Sequence, residues 1–275
     1  MLMLLLVWIT KVRGQTKFFN VMKYGAVPDG KTDNRVLRAS TDPSSLNTDH
    51  WISFRHVDGL TLTGGGSFDG QDSPNTDEIH IGRSSDIQIF DSTIAIEDDY
   101  ISMSHRSKNI NITKVHCGPG HGISIGSLGK LPNEEPVLGI TARNCTFSGT
   151  SNGVRIKTWA PSASPSIVSN ITFQDIIMDN VYNPIIIDQQ YCPLHNCAKK
   201  AASRVQISDV KFRNIRGTSS SKVAVNLQCS SSVPCEKIEL MDINLAYKGS
   251  DGPVDSSCSH VSGVSYGEQM PPSCI

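Results

Sequence analysis

The sequence predicts an all-β fold in which short strands stack as the coils of a parallel β-helix. Apolar residues two apart recur along the chain after residue 60. This alternation is the period of a β-strand, and no stretch of the region sustains a helical period. A short strand cannot bury its apolar face alone, so its recurrence indicates coils that pack on their neighbours. The pairs are Ile79/Ile81, Ile101/Met103, Ile123/Ile125, Val154/Ile156, Ile185/Ile187 and Val223/Val225.

The spacing of the pairs favours a solenoid over a sandwich. Successive pairs lie 22, 22, 31, 31 and 38 residues apart, as expected if insertions fall in loops while strands keep their register. A β-sandwich is the main alternative, but it needs hairpins. The single Asn-Gly pair, Asn152-Gly153, is not followed by a returning strand at hairpin distance. A second set of short strands, often opened by a polar residue, comprises Asp86–Ile89, Asn109–Ile112, Asn170–Phe173, Val205–Ile207 and Lys237–Leu240.

The N-terminal segment predicts export. The nine residues from Met1 to Ile9 are all apolar. They are too few to cross a bilayer as a helix, but they suit the core of a signal peptide. We therefore expect residues 1–14 to be a signal peptide and residues 15–275 to form a single domain. The alternative is a buried N-terminal helix.

The composition argues against a partner that is recognised by overall charge. The chain carries 25 Lys and Arg against 26 Asp and Glu, a net charge of −1. It therefore has no global attraction for nucleic acid or for an acidic membrane. We expect neither partner after removal of the signal peptide, and we expect a monomer. N-glycosylation sequons that begin at Asn111, Asn144 and Asn170 agree with export.

Cysteine usage also agrees with export. All eight cysteines lie between Cys117 and Cys274, and an exported chain would oxidise close pairs to disulfides. A metal site would need tighter C-x-x-C spacing with accompanying histidines. Cys117 and Cys145 are left either to pair with each other or to stay free. The close pairs are Cys192/Cys197, Cys229/Cys235 and Cys258/Cys274.

One register position of the repeat carries titratable side chains. Asp77, Asp99 and His121 each lie two residues before the first apolar residue of their pair, and Asp98 lies beside Asp99. Because neighbouring coils are about 4.8 Å apart, these side chains should form a ladder. Strict alternation would point them inward, so we expect a bend at the start of each strand. Carboxylates this close cannot all ionise cheaply, and we expect the pKa of one to rise.

This ladder suggests acid–base chemistry on an anionic substrate. A raised and an ordinary carboxyl are what hydrolysis by base-activated water requires. On the next coil Arg155 and Lys157 share one face of a strand whose other face points inward, and they could hold an anion. A calcium or zinc site is the other chemical interpretation of the ladder and Asp98. The two cations would repel a metal ion, so we expect no metal and no cofactor.

Four motifs in order resemble the polygalacturonases of glycoside hydrolase family 28, and among these the plant exopolygalacturonases of pollen. They are Asn75-Thr76-Asp77, Asp98-Asp99, Cys117-Gly118-Pro119-Gly120-His121-Gly122 and Arg155-Ile156-Lys157, supported by GGGSFDGQ, HGISIGSLGK and NPIIIDQQYCP. The resemblance covers nearly the whole chain after residue 18. It implies a secreted cell-wall protein with a single-stranded right-handed parallel β-helix. Such a protein would hydrolyse the α-1,4-linked galacturonan of pectin with inversion, and without a metal.

The resemblance also implies catalytic roles. Asp98 would be the general acid that protonates the leaving oxygen. Asp77 and Asp99 would activate the attacking water. His121 would orient and tune this group of carboxyls.

The same resemblance implies the residues that bind substrate. Arg155 and Lys157 would hold galacturonate carboxylates, and Tyr191 would contact the sugar. Exo action is expected over endo action.

The competing interpretations are a catalytically inactive β-helix that at most binds pectin through Arg155 and Lys157, and an eliminating lyase, which should show a calcium site.

The chain departs from the family pattern beside the carboxylates. Glu97 stands where the family usually has Gly, Tyr100 where it has Cys, and Glu78 where it has Gly. The resemblance implies that Cys117 has lost its usual disulfide partner through the change at Tyr100.

The resemblance also implies that two family segments are missing. One break lies between Asn34 and about Asp42, and the other lies between Gln71 and Asp72. Both would remove strands upstream of the carboxylates, so we expect a solenoid that lacks early coils.

Overall fold

Short strands in the computed structural model follow the predicted repeat along the chain. The structure describes residues 6–12, 15–18, 36–38, 50–63, 67–70, 77–96, 98–193 and 202–275. The strands are β1 (Leu6–Val12), β2 (Gln15–Phe18), β3 (Val36–Arg38), β4 (His50–Arg55), β5 (Asp58–Thr63), β6 (Ser67–Gly70), β7 (Asp77–Gly82), β8 (Ser85–Ile96), β9 (Ile101–Met103), β10 (Lys108–Cys117), β11 (Ile123–Leu128), β12 (Val137–Arg143), β13 (Thr146–Ser148), β14 (Asn152–Trp159), β15 (Ser166–Val181), β16 (Asn183–Tyr191), β17 (Val205–Ser219), β18 (Val223–Gln228), β19 (Cys235–Tyr247), β20 (Asp255–Ser259) and β21 (Val261–Met270).

These strands form two sheets that together make a right-handed parallel β-helix, as predicted. Within the described ranges, sheet B contains eight strands in the order β4-β7-β9-β11-β14-β16-β18-β20, and every pairing in it is parallel. Sheet A contains the other thirteen. Its pairings are parallel except for β1, which runs antiparallel to β2 and β5. The described ranges contain no helix, and so none that could span a membrane.

Polar residues at fixed positions bend the long strands of sheet A. Asp86, Asn109 and Asn170 open strands of the predicted second set, and all three have a left-handed backbone, with φ of 57°, 53° and 58°. Asn and Asp tolerate this conformation better than other residues with a Cβ atom. Register pairing stacks these residues on successive coils, with Gly139 between the last two. The polar openings seen in the sequence therefore mark the corners of the solenoid.

The interior is filled by the predicted apolar columns. Ile79, Ile101, Ile123 and Val154 are paired in register on neighbouring coils of sheet B, and all are fully buried. Each coil thus contributes side chains that pack on identical or similar ones above and below, which is how a short strand in a solenoid is stabilised.

One assignment in the repeat is wrong. The sequence pairs Val223/Val225 with the preceding coil, but the structure aligns Ile185 with Val225 and Ile187 with Leu227. Val223, Val225 and Leu227 alternate as three apolar positions. A pattern with period two therefore does not say which two of the three belong to the column.

The disulfides agree with the predicted close pairs. Cys229–Cys235 and Cys258–Cys274 are bonded. Cys192 is also disulfide-bonded, while its predicted partner Cys197 lies outside the described residues.

Cys117 and Cys145 take the second of their two predicted states, since both are buried free thiols. Burial raises the pKa of Cys145 to about 11 and that of Cys117 well above its ordinary value. Burial therefore disfavours the thiolate, which is the nucleophilic form, at both positions. Tyr100, at the position where the resemblance implies a cysteine, is fully buried in the core.

The N-terminal half bears on two predictions. Strand β1 covers part of the segment predicted as a signal peptide, and it lies beside β5. Cleavage and the domain boundary at residue 15 stay predictions. Residues 71–76, which contain the second predicted break, lie outside the described residues, but β4 pairs directly with β7.

Candidate active site

The backbone register of the predicted ladder is present at the starts of three neighbouring strands of sheet B. Pairing of Ile79 with Ile101, and of Ile101 with Ile123, gives Asp77, Asp99 and His121 the same register position. Of these, Asp77 lies at the start of β7, and its side chain lies outside the described residues. Asp99 and His121 lie in the irregular segments that precede β9 and β11.

A bend of the predicted kind is present before β11. Gly122 follows His121 with φ of 86°, and a Cβ atom at this position would clash with the carbonyl oxygen of Asn152 on the next coil. Only glycine fits this close approach. The carboxylate of Asp99 contacts Ser124 and Lys157. Both lie at positions that alternate with the inward residues of their strands, so the Asp99 carboxylate faces the outside of sheet B.

Asp98 and His121 form a hydrogen-bonded pair. His121 Nδ1 donates to Asp98 Oδ1 over 2.9 Å, and the backbone amide of Asp99 donates to the same oxygen over 2.8 Å. Burial alone would raise the pKa of Asp98, but these two donors and the charge of His121 bring it below its ordinary value. The hydrogen bond to Asp98 raises the pKa of His121 against the opposing effect of burial.

The sequence led us to expect that the pKa of one of the three carboxyls would rise, and Asp98 is not that carboxyl. The pKa of Asp98 is lowered, not raised. The sequence argument considered repulsion among carboxylates, whereas the imidazole and the amide hydrogen-bond the charged form of Asp98 and stabilise it.

Asp99 is held as a buried ion. Its side chain is 2% exposed. Ser124 Oγ donates to Oδ1 over 2.7 Å, and Lys157 Nζ donates to Oδ2 over 2.6 Å. Burial would lower the pKa of Lys157, but the adjacent Asp99 carboxylate raises it above its ordinary value. Lys157, predicted to hold substrate, therefore first serves as the counter-ion of Asp99, and its two remaining protons are free to point elsewhere.

Tyr191 is surrounded by cations and by a second aromatic ring. The Arg155 guanidinium lies 5.2 Å from the centre of the Tyr191 ring, and Lys157 Nζ lies 5.4 Å from it. The indole of Trp159 packs edge-on against the same ring at 5.5 Å. Among the described residues, Arg155 Nε has no hydrogen-bond partner although it is buried. A sugar that binds at Tyr191 would therefore meet a positive surface.

One open cavity of about 500 Å³ collects four of the predicted site residues. Asp98, Asp99, Lys157 and Tyr191 line it. His121 does not line it but bonds to Asp98, and Arg155 does not line it but stacks on Tyr191. His121 and Arg155 therefore contact residues of the cavity lining without lining the cavity themselves.

Sequence reasoning missed Asp188. This residue pairs in register with Lys157, and burial raises the pKa of its carboxyl, against the Gln190 amide and the charges of Arg155 and Lys157. The signal was available, because Lys157 and Asp188 each follow the second apolar residue of their pair. Ser124 was also missed, and nothing in its sequence context distinguishes it from other serines.

The arrangement provides one carboxyl bonded to an imidazole and a second carboxyl paired with a lysine ammonium. This is the composition of an acid–base pair. Ligand atoms of Asp98, Asp99 and His121 also lie within 4.8 Å of one another, which a divalent cation could bridge. Lys157 Nζ already occupies one oxygen of Asp99, and a neighbouring ammonium opposes a cation there. That the site uses no metal stays a prediction.

Comparison with known proteins gives consistent relationships. Residues 71–268 match the model of the glycosyl hydrolases family 28. The chain is 40% identical to an exopolygalacturonase of Platanus acerifolia, over 86% of this chain and 80% of that protein. It is 49% identical to an exopolygalacturonase of Arabidopsis thaliana, over 89% of this chain and 54% of that protein.

Solved structures give the same fold at lower sequence identity. An endo-xylogalacturonan hydrolase from Aspergillus tubingensis superimposes with a TM-score of 0.59 at 20% identity, over 78% of this chain and 63% of that one. A polygalacturonase from Erwinia carotovora gives a TM-score of 0.56 at 24% identity, over 75% and 53%. The chain therefore spans less than two thirds of either solved structure.

Proposed function

The chain belongs to the glycosyl hydrolases family 28, and on that premise we propose that it hydrolyses α-1,4-galacturonosyl linkages of polygalacturonate, the backbone of pectin, with inversion and from chain ends. The observation that carries this proposal is the shared cavity, in which two carboxyls of different character meet a lysine and an aromatic ring. Exopolygalacturonase names among the relatives support exo action.

The proposed roles follow from the contacts. Asp98 protonates the leaving oxygen, and His121 holds it in place. Asp99, together with Asp77, activates water, and Lys157 keeps Asp99 ionised so that it can act as a base. General acid–base catalysis of this kind contributes about 10²- to 10⁴-fold to the rate. The positive surface around Tyr191 receives the galacturonate, with Arg155 as a further cation.

The stereochemistry has a direct test. Carboxylate oxygens of Asp98 and Asp99 lie within 4.8 Å of each other. The two carboxyls of inverting glycosidases are generally about 6.5–9.5 Å apart, so this pair is closer than inversion usually requires. NMR of the first product distinguishes the outcomes. Inversion of an α-linkage releases the β-anomer first, and an initial α-anomer would overturn this part of the proposal.

One observation favours a second candidate, a catalytically inactive β-helix that binds pectin. The alignment with the Platanus relative extends over 301 positions, but 86% of this chain is only about 237 residues. That relative therefore has internal segments with no counterpart here, in agreement with the two breaks expected from the sequence.

Reducing-sugar release from polygalacturonate by the purified chain separates the two candidates. A hydrolase that acts from chain ends is expected to release galacturonate monomer from the start of the reaction, with a slow fall in viscosity. An early mixture of longer oligomers would indicate endo action. Binding of polygalacturonate without any release would establish the inactive alternative.

The Asp98–His121 pair predicts the alkaline limit of activity. The two groups are coupled, so they titrate as a unit. Because the pKa of His121 is raised, the pair keeps its proton to a pH above the ordinary 6.5 of histidine. Activity is expected to fall only as pH rises through that higher value. In the variant His121→Asn the proton must reside on Asp98 alone, so the alkaline limb of kcat/KM should move to lower pH by at least about one unit. An unchanged limb would contradict this assignment.

We also propose that the protein is exported to the cell wall as a monomer. The three sequon asparagines, Asn111, Asn144 and Asn170, are all exposed in the fold, so they are accessible for glycosylation. Export would bring the chain into contact with pectin.

A further inference from the structure

A second cavity, of about 250 Å³, lies on the outer face of sheet A and shares no lining residue with the active-site cavity. Strands β8 and β10 form its floor, where Gln88 pairs in register with Asn111, and Phe90 with Thr113. Alternate residues of a strand share one face, so these four side chains all point away from the core. Each of them is exposed or half-exposed. We refer to this cavity as the sheet A groove.

Phe90 differs in character from the residues that continue its column on sheet A. The next three coils place Thr113, Arg143 and Gln174 at the same register position, and all three are polar. Phe90 is half-exposed, so part of its ring faces water where its neighbours are polar. A single exposed apolar residue is common on protein surfaces. The ring therefore indicates a ligand only in combination with the groups around it.

The polar side chains beside the ring are not used by the fold. Those of Gln88, Asn111 and Thr113 form no hydrogen bond with any residue that the structure describes. Other polar residues on this sheet are engaged, as where Asn109 Nδ2 donates to Asp86 Oδ1 over 3.1 Å. The amide of Gln88 and the hydroxyl of Thr113 can therefore both donate to and accept from a ligand in the groove.

Asn111 and Thr113 are also the first and third residues of a glycosylation sequon, Asn111-Ile112-Thr113. The middle residue, Ile112, is fully buried, which fixes the strand with the other two side chains outward. The side chain that would carry a glycan is thus part of the lining of the groove. Phe90 lies one strand across and two residues along, about 8 Å away between Cα atoms. One sugar ring attached to Asn111 can cover this distance.

We propose that the sheet A groove seats the first N-acetylglucosamine of an N-linked glycan on Asn111. The apolar face of the sugar ring packs on Phe90, and its acetamido and hydroxyl groups bond to Gln88 and Thr113. Pockets for drug-sized ligands begin at about 300 Å³, so a groove of about 250 Å³ suits a single sugar unit. The rest of the glycan extends into solvent.

Attachment of the glycan is a transfer to the Asn111 amide. A bond forms between Nδ2 and C1 of the sugar as the bond between C1 and the diphosphate of a lipid-linked oligosaccharide breaks, and the amide gives up one proton. This reaction belongs to the secretory pathway. The inference therefore rests on the proposed export, and it is independent of the proposed hydrolysis.

The other two sequons provide matched controls. Asn144 and Asn170 are exposed, and both lie at left-handed corners, with φ of 53° and 58°. The residues that flank them in register are Lys114 and Asp175 for Asn144, and Gly139 and Asp209 for Asn170. None of these four has an aromatic ring, so a glycan at either corner lacks the stacking surface that Phe90 provides.

Thermal unfolding of the secreted protein tests the seat. The full chain is expressed behind a signal peptide of the host, and its glycans are trimmed with an endoglycosidase to one N-acetylglucosamine per site. Mass spectrometry then identifies which asparagines carry a sugar. Asn111→Gln is expected to lower the Tm by about 2–4 °C. Asn144→Gln and Asn170→Gln should each change it by less than about 1 °C.

A double-variant cycle separates the sugar contact from the effects of the substitutions themselves. Phe90→Ala should lower the Tm more in the glycosylated chain than in the Asn111→Gln background. Its effect should be the same with and without the sugar at Asn170. Phe90→Tyr keeps the aromatic ring and should preserve the coupling to Asn111.

Equal effects of Phe90→Ala with and without the sugar at Asn111 would overturn the proposal. So would a secreted chain in which Asn111 carries no glycan. Failure of the proposed export has a different signature. The chain with its own N-terminus would then stay in the cell, while the version behind the host signal peptide is secreted and glycosylated at Asn111.

Discussion

Replacing Asp98 by Asn is expected to lower reducing-sugar release from polygalacturonate by about 10²- to 10⁴-fold, the usual contribution of a general acid. The amide oxygen of Asn can still accept the hydrogen bond from His121, so the local structure should survive. The amide cannot deliver a proton to the leaving oxygen. Steady-state kinetics should therefore show a fall in kcat with little change in KM.

The control for this variant is Asp179→Asn, which makes the same chemical change at an exposed aspartate paired with Lys248 on the surface. It should retain full activity. A substrate whose leaving group needs no protonation, such as an aryl galacturonide with an acidic phenol, should lose much less rate in Asp98→Asn. Equal losses on both substrates would assign Asp98 a structural role.

Lys157→Met is expected to destabilise the fold by about 3–5 kcal/mol, because it leaves the buried carboxylate of Asp99 without its counter-ion. Urea denaturation at neutral pH measures the loss. In this variant burial raises the pKa of Asp99 in the folded state above its value in the unfolded state. The unfolded state then binds fewer protons, so stability should recover as pH falls through the raised pKa.

Two companion variants sharpen this result. Asp99→Asn combined with Lys157→Met removes both charges and should be more stable than Lys157→Met alone. Lys211→Met breaks a partly exposed pair with Asp209 and should cost at most about 1 kcal/mol. A cost for Lys157→Met as small as that for Lys211→Met would show that Asp99 does not depend on its lysine.

Much of the fold could be predicted because a solenoid repeats its signals. The apolar pairs set the register, and the register places Asp77, Asp99 and His121 in one column. The same pattern failed at Val223, where three alternating apolar residues offered two equivalent alignments.

The electrostatics of the site could not be predicted in the same way. The direction of the Asp98 pKa depends on which atoms donate to it, and a register alignment does not specify hydrogen bonds. Lys157 reaches Asp99 across 58 residues of sequence, and its role as a counter-ion appears only when side-chain positions are known.

The contact between β4 and β7 has a consequence for how such a protein can change. Each coil bends at its own left-handed corners and touches only the coils on either side, so a whole turn of the solenoid can be gained or lost without disturbing the geometry of the rest. Such an edit keeps the register of the coils that carry Asp98 and Asp99 but changes which coil lies next to them. In this architecture, substrate preference can therefore change through the gain or loss of one coil, with no substitution among the residues of the active site.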